Sequence, residues 1–253
     1  MDGQRNWGHI ALRDGMELAI AKARQHGISA VTVRNCDFAG RFAPFCERAA
    51  EAGMASMIFG NDNGSLQSVL PPGAVEPRLS TNPIGMGVPR ANAPHLVLDF
   101  ATSTVASGRL HEEKERGNAP QQDWVGAGGA LKTFGGFKGF GLALMVEALG
   151  GALSGSDTVS AKDSEQGQGA LLIAIDIAQL RDIDEYTAQV EEFTAWVKGA
   201  EREPGAGPLR VPGENAPGSE ALDTDTAITL NPNTCQQLDR IAGELGLPAP
   251  ARQ

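Results

Sequence analysis

Helical and strand periods alternate twice within residues 13–59, and that alternation restricts the chain to a layered fold. Residues 13–26 carry Met16, Ile20 and Ala23 on one helical face, with Asp14 as a candidate N-cap and Gly27 as the stop. Ala30-Val31-Thr32-Val33 is a short apolar run of strand type. Ala43 to Ala52 returns to the helical period and ends at Gly53, and Met54 to Phe59 is a second strand. Helix–strand–helix–strand is the pattern of an α/β layer fold.

Further along, residues 60–95 are loop-rich, with Pro71, Pro72, Pro77, Pro83 and Pro89. Leu96 to Phe100 reads as a strand and Ala101 to Arg116 as a helix. Residues 117–136 are rich in glycine. Gly141 to Leu153 is apolar nearly all round, which predicts a buried helix. Residues 154–169 form a polar connection, and Ala170 to Ile175 is a buried strand. Ile183 to Lys198 is amphipathic, with Tyr186, Val190, Phe193 and Val197 on one stripe. Residues 200–222 read as an extended surface loop, and Thr234 to Leu245 as a last helix.

Charge and cysteine usage exclude several partners. Lys plus Arg is 21 against 31 Asp plus Glu, a net charge of -10. A chain this acidic repels phosphate backbones, so nucleic acid is not an expected partner. Nor is a membrane: there is no polybasic stretch, and no apolar run approaches the roughly 18–20 residues that span a bilayer. Met1 to Arg5 has no apolar segment behind it and does not read as a signal peptide. Cys36, Cys46 and Cys235 are too few and scattered for a disulfide framework or a zinc site, which points to the cytoplasm and to no metal.

Four segments could carry chemistry. Gly135-Gly136-Phe137-Lys138-Gly139-Phe140-Gly141 runs straight into the apolar helix. Glycines let backbone approach an anion, a helix N-terminus offers free N–H groups, and Lys138 adds a full charge, so the segment reads as a diphosphate site. It is neither a Walker A loop nor a Rossmann fingerprint; a tight turn with a solvated lysine is the alternative. Ser80-Thr81-Asn82-Pro83-Ile84-Gly85 reads locally as a turn. Leu98-Asp99-Phe100-Ala101-Thr102-Ser103 puts a carboxylate at a strand end, where α/β sheets place ligands; capping of the following helix by Asp99 or Thr102 is the equal alternative. In Asn35-Cys36-Asp37-Phe38-Ala39-Gly40-Arg41, Arg41 could clamp a carboxylate and Asp37 could exchange protons, or Asp37 could simply make a local turn. His9, His26, His95 and His111 sit in no motif.

These segments, in this order, resemble the type-2 malate/L-lactate dehydrogenase family, also called sulfolactate or ureidoglycolate dehydrogenase-like. The matching stretches are Met16 to Ile20, Val33-Arg34-Asn35, Ala50 to Met54, Thr81 to Ile84, Leu98 to Ser103, Gly135 to Gly139 with Gly141 to Glu147, and Val211 to Glu214. They run collinearly over nearly the whole chain.

The resemblance implies a non-Rossmann α/β fold with a mixed sheet flanked by helices. It implies NAD or NADP, a homodimer, and hydride transfer between a 2-hydroxy acid and a 2-keto acid. It divides the chain into a dinucleotide-binding domain at 13–159, with 1–12 and 160–253 as what remains of a substrate and dimerisation domain. Carried over by position, Asn82, Asp99, Ala101, Thr102, Ser103, Lys138, Gly213, Glu214 and Asn215 would contact the dinucleotide. The family's Ser-His-Gly-x-x-Arg segment has no counterpart here, and the resemblance places Met1 after it. Phe38 stands where the family carries an acid–base histidine, and a stretch between Trp124 and Gly129 is shortened. Asp37, Arg41 and His9 are the available substitutes. Phe cannot move a proton, so the alternative is a non-catalytic dinucleotide-binding relative or a shortened pseudoenzyme.

Overall fold

The computed structural model describes residues 1–63, 67–161, 167–214 and 230–251. Residues 1–215 and 216–253 form two compact units. The first is built on a sheet of six strands: β1 (Asp2–Asn6), β2 (Ile28–Cys36), β3 (Met54–Asn63), β5 (Ile84–Val88), β6 (Leu96–Phe100) and β8 (Gly167–Asp176). They lie in the order β1-β2-β8-β3-β5-β6. Only β1 and β2 pair in parallel; every other neighbour is antiparallel. A separate parallel pair joins β4 (Val69–Leu70) to β7 (Leu131–Lys132). Segment 170–175, read as one short strand, is the middle of β8, which pairs with β2 on one side and β3 on the other.

One face of the sheet is covered by α1 (Gly8–His26) and α2 (Ala43–Glu51). Leu12, Met16, Ala19 and Ala23 of α1 are buried with Val31, Val33, Leu172 and Ala174 of β2 and β8. The helix starts five residues before its expected position, so Asp14 lies inside it and Trp7 is the N-cap. Gly85 and Gly87 let α2 settle on β5: a Cβ would lie 2.7 Å from Phe42 Cβ at Gly85 and 2.9 Å from Cys46 Cβ at Gly87. Side chains alternate along a strand. Gly60 therefore meets Phe42 under α2, while Asn61 points to the opposite face.

Near that opposite face runs α4 (Phe137–Val146), continued by a wide π-type turn over Glu147–Ala152. Gly150 and Gly151 allow this turn to lie on β3, because a Cβ at Gly150 would sit 2.7 Å from Phe59 O. The expected all-round burial does not hold. Ala143 and Val146 are buried, but Leu144, Met145 and Leu153 face outward, as does Phe137 (75% exposed) ahead of that span. Likewise α5 (Ile183–Lys198) turns Tyr186, Val190 and Val197 partly inward but leaves Phe193 exposed. The helix expected from Ala101 is shorter, α3 (Ser107–Glu115), because residues 101–106 make a turn. In the second unit α6 (Pro232–Glu244) is capped by Asn231, whose side chain accepts from Thr234 N at 2.8 Å.

Candidate functional site

The N-terminus of α4 is built by glycines. Gly135 and Gly136 have φ of 55° and 60°, a left-handed pair that most residues resist, and they fold the chain back into the helix. Thr133 Oγ1 donates to Gly136 O at 2.8 Å, and Gly139 N donates to Phe134 O at 2.9 Å. A Cβ on Gly139 would lie 2.5 Å from Phe134 O and 2.6 Å from Thr102 O. Glycine is what lets the helix begin against these two carbonyls. Lys138 is exposed in the first turn, with no carboxylate within 4.0 Å among the described residues.

Two of the other motifs converge here. Thr102 donates from both N (2.8 Å) and Oγ1 (3.0 Å) to the carbonyl of Thr81. Thr102 O in turn accepts from Phe134 N at 3.1 Å, and Ser103 bridges to Thr133. The Phe100 and Phe134 rings meet edge to face at 5.4 Å. Asn82, at φ 41°, donates to Ala143 O at 3.0 Å and to Glu147 Oε1 at 2.9 Å. Asn82, Thr102 and Ser103 are buried, so their side chains hold this corner together; Ala101 and Lys138 reach its surface.

Asp99 does not cap the helix that follows it. Its Oδ2 accepts from the amides of Phe42 and Ala43 and caps α2 from across the sheet. The loop that precedes α2 carries Asp37 and Arg41, both exposed. Asp37 lies 4.0 Å from Arg5 and Arg41 lies 3.6 Å from Glu47. Phe38, at 67% exposure, meets the His9 ring edge to face at 6.4 Å. The His9 imidazole also lies over Gly40, where a Cβ would come within 2.4 Å of Nε2. His9, in the first turn of α1, thus packs against the loop that bears Phe38.

Gly213 and Glu214 lie at the opposite end of β6. Gly213 (φ 101°) packs on His95, where a Cβ would be 2.3 Å from the carbonyl. The turn thus meets β6 at His95 and Val97, the end away from Phe100. Glu214 accepts from Lys198 Nζ at 2.7 Å and from Val211 N at 3.1 Å. Asn215 lies outside the described residues.

Three contributors, Arg90, Glu191 and Glu147, carry no signal of their role in the sequence. Arg90, almost fully buried, makes a two-pronged pair with Glu191 at 3.0 Å on each prong and reaches Glu214 at 3.6 Å. Bonding to Arg90 holds Glu191 below the usual carboxylate range. Glu147 is also buried, and desolvation pushes its carboxyl upward despite three donors. No local pattern marks any of them, because each is defined by partners far along the chain. Burial pushes the Cys36 thiol up to about 11 and the Cys46 thiol up to about 12, so neither is a ready nucleophile. Among the described residues no cluster of three or more His, Cys, Asp or Glu could hold a metal, and no helix is long and apolar enough to cross a membrane.

Residues 1–239 match the family model described as malate/L-lactate dehydrogenase. An L-lactate dehydrogenase of Cupriavidus necator is 31% identical over 98% of this chain and 77% of its own length. Hydroxycarboxylate dehydrogenase B of Escherichia coli K12 is 31% identical over 98% of this chain and 74% of its own. Among solved structures, sulfolactate dehydrogenase from Methanocaldococcus jannaschii superposes with a TM-score of 0.82 at 28% identity, covering 98% of this chain and 76% of that one.

Proposed function

This chain belongs to the malate/L-lactate dehydrogenase family, and from that premise we propose that the N-terminus of α4 seats the diphosphate of a pyridine nucleotide, NAD or NADP. The chain is an oxidoreductase acting on 2-hydroxy acids. The observation that carries the cofactor reading is the meeting of residues 81–82, 102–103 and 133–139 at one helix end, where Lys138 has no carboxylate partner among the described residues. The lysine and the positive end of the helix suit a doubly charged diphosphate, although the expected free amides are not all there: Lys138 N and Gly139 N donate to Gly135 O and Phe134 O. Gly139 serves this corner indirectly: without a Cβ it lets α4 begin against the carbonyls of Phe134 and Thr102, which sets Lys138 at the helix end. When bound, the nicotinamide supplies hydride transfer to and from the 2-carbon of the acid.

The remaining work falls to the chain's own residues. Arg41 exchanges its loose contact with Glu47 for the carboxylate of the substrate. His9, beside Phe38, delivers a proton to the oxygen formed from the keto group. Asp37, on the same loop and loosely paired with Arg5, is the alternative proton donor. Asp99 and Ala101 join this loop to the cofactor corner, because Asp99 binds Phe42 and Ala43 while the turn beyond it carries Thr102. Gly213 and Glu214, at the far end of β6, remain the expected dinucleotide contacts from that side. The α1 imidazole packed against the Phe38 loop favours the dehydrogenase over a non-catalytic relative.

The outward Phe137, Leu144 and Met145 of α4 support a homodimer, since apolar patches of this kind mark interfaces; sedimentation at twice the chain mass is the expected result. The buried thiols Cys36 and Cys46 suit the reducing cytoplasm. The central test is titration with NADH and NADPH by calorimetry, with Lys138→Ala alongside. At least one nucleotide binds, and Lys138→Ala weakens it by about 10–100-fold, as loss of a charge-assisted hydrogen bond does. Folded protein that binds neither nucleotide would sink the reading.

A further inference from the structure

We propose that Glu147 is a positioning residue for the cofactor corner, which it holds in shape through Asn82; the inference rests on the reading of that corner as the nucleotide site. Glu147 sits where α4 widens into the π-type turn, and its carboxylate is nearly out of solvent. Oε1 accepts from Asn82 Nδ2 at 2.9 Å. Oε2 accepts from Asn61 Nδ2 at 3.2 Å and from Val159 N at 2.9 Å. Four parts of the chain are thereby tied to one carboxylate: the end of β3, the Thr81–Asn82 turn, α4 itself and the segment after it.

The route from Glu147 to Lys138 consists of named bonds. Asn82 is fully buried, so its amide meets no ligand directly. It lies at φ 41°, a left-handed conformation that asparagine tolerates only at some cost. Its amide N–H₂ bonds to Glu147 and Ala143 O keep it there. That conformation aims the preceding carbonyl, Thr81 O, at Thr102 N and Oγ1. Thr102 O then receives Phe134 N, and Phe134 O receives Gly139 N, the residue after Lys138. Removal of the carboxylate frees Asn82 to relax towards negative φ, which turns Thr81 O away and loosens the loop that presents Lys138. Glu147 touches neither substrate nor nucleotide, and its effect is transmitted entirely by this chain.

The test measures NADH and NADPH affinity of Glu147→Gln, Lys138→Ala and the double variant by calorimetry, with thermal midpoints recorded for each. Glu147→Gln weakens the nucleotide by about 10–100-fold, the scale expected when a binding group is misplaced by an ångström. The double variant is little weaker than Lys138→Ala alone, because both changes disable the same contact. A stability control comes from Val33→Ala, in the core under α1, which lowers the midpoint without weakening the nucleotide. Because Glu147→Gln keeps one oxygen that can accept from Asn82, Asn82→Ala is measured beside it: alanine cannot bond Glu147 and resists φ 41°, so the same loss is expected. Wild-type affinity in the folded variant, losses that multiply in the double variant, or an equal loss in Val33→Ala would each overturn the role of Glu147 while leaving the cofactor site standing. Wild-type protein that binds neither nucleotide would instead overturn the site and this proposal together.

Discussion

Asp99 closes the start of α2 by accepting the amide of Phe42 at 2.7 Å, with Ala43 N at 2.9 Å on the same oxygen. The side chain of a residue at the end of β6 thus caps a helix that begins 56 residues earlier. Phe42 itself lies over Gly60 and Gly85. One carboxylate therefore couples the helix, the sheet beneath it and the loop carrying Asp37 to Arg41.

Replacement of Asp99 by Ala leaves two amides of the first turn without that acceptor. The expected loss is about 1–2 kcal/mol of unfolding free energy, the range of a strong N-cap. Asp99→Asn keeps one acceptor oxygen and loses less. Urea denaturation of both variants checks the order.

Gly139→Ala is expected to damage the corner more than its size suggests. The new methyl would sit at 2.5–2.6 Å from two carbonyl oxygens, those of Phe134 and Thr102, and both belong to backbone. Either α4 or the Thr102 turn must move. A loss of about 1–3 kcal/mol is expected, as for overpacking generally. Nucleotide binding falls with it, whereas Gly141→Ala, at a position with open space, leaves both unchanged. Thermal unfolding and calorimetry on the two variants separate the cases.

The contrast between these two glycines shows what was legible in the sequence. The Gly135 to Gly141 run announces a close backbone approach because its chemistry is local. The run does not say which glycine is essential, since that depends on Thr102. Asp99 was readable as a carboxylate at a strand end, yet its partners lie far away and only the sheet order brings them together. The strands at 30–33, 54–59 and 170–175 were visible as apolar runs. The central place of β8 was not, because antiparallel pairing with both β2 and β3 leaves no mark within any one strand. Apolar residues from Gly141 to Leu153 looked buried, but composition does not reveal that Leu144, Met145 and Leu153 lack cover.

Arg90→Met should destabilise the first unit by about 2–3 kcal/mol. Breaking a fully buried ion pair costs more, but Glu191 and Glu214 keep some solvent. The loss also depends on pH. Arg90 lowers the folded-state value of Glu191 below 4.5, so its contribution is complete above that pH and disappears as pH falls through the lowered value. The gap between wild type and variant in urea denaturation narrows on acidification; a gap that widened would contradict the pairing.

His9→Gln removes the imidazole beside Phe38 while keeping a side chain of similar reach. If His9 delivers the proton, kcat for a 2-keto acid drops by about 10²–10⁴-fold, the usual range for general acid catalysis. NADH affinity stays at the wild-type value, since the ring lies against the Phe38 loop and not at α4. Steady-state turnover read beside calorimetry decides. Undiminished turnover would hand the role to Asp37, and Asp37→Asn is then the variant to assay.

Glu147 gives the fold a pH dependence of opposite sign to that of Glu191. Burial raises its folded-state value above 4.5, in spite of the bonds from Val159 N, Asn82 and Asn61, and nearby Asp62 pushes the same way. Below 4.5 the carboxyl is protonated in both states and its contribution is complete. As pH rises, the unfolded chain releases the proton first and so binds fewer protons than the folded one. Stability then declines until the folded-state value is passed, and is level beyond it. The amide that Glu147→Gln introduces cannot titrate, while Glu191, Glu214 and the other carboxylates are common to both proteins and cancel in the difference. The unfolding free energy of wild type minus that of Glu147→Gln is therefore expected to fall as pH rises from about 4 towards neutrality. Urea denaturation across that range measures it. A flat or rising difference would mean that the three donors outweigh burial, and that Glu147 is held charged at all working pH.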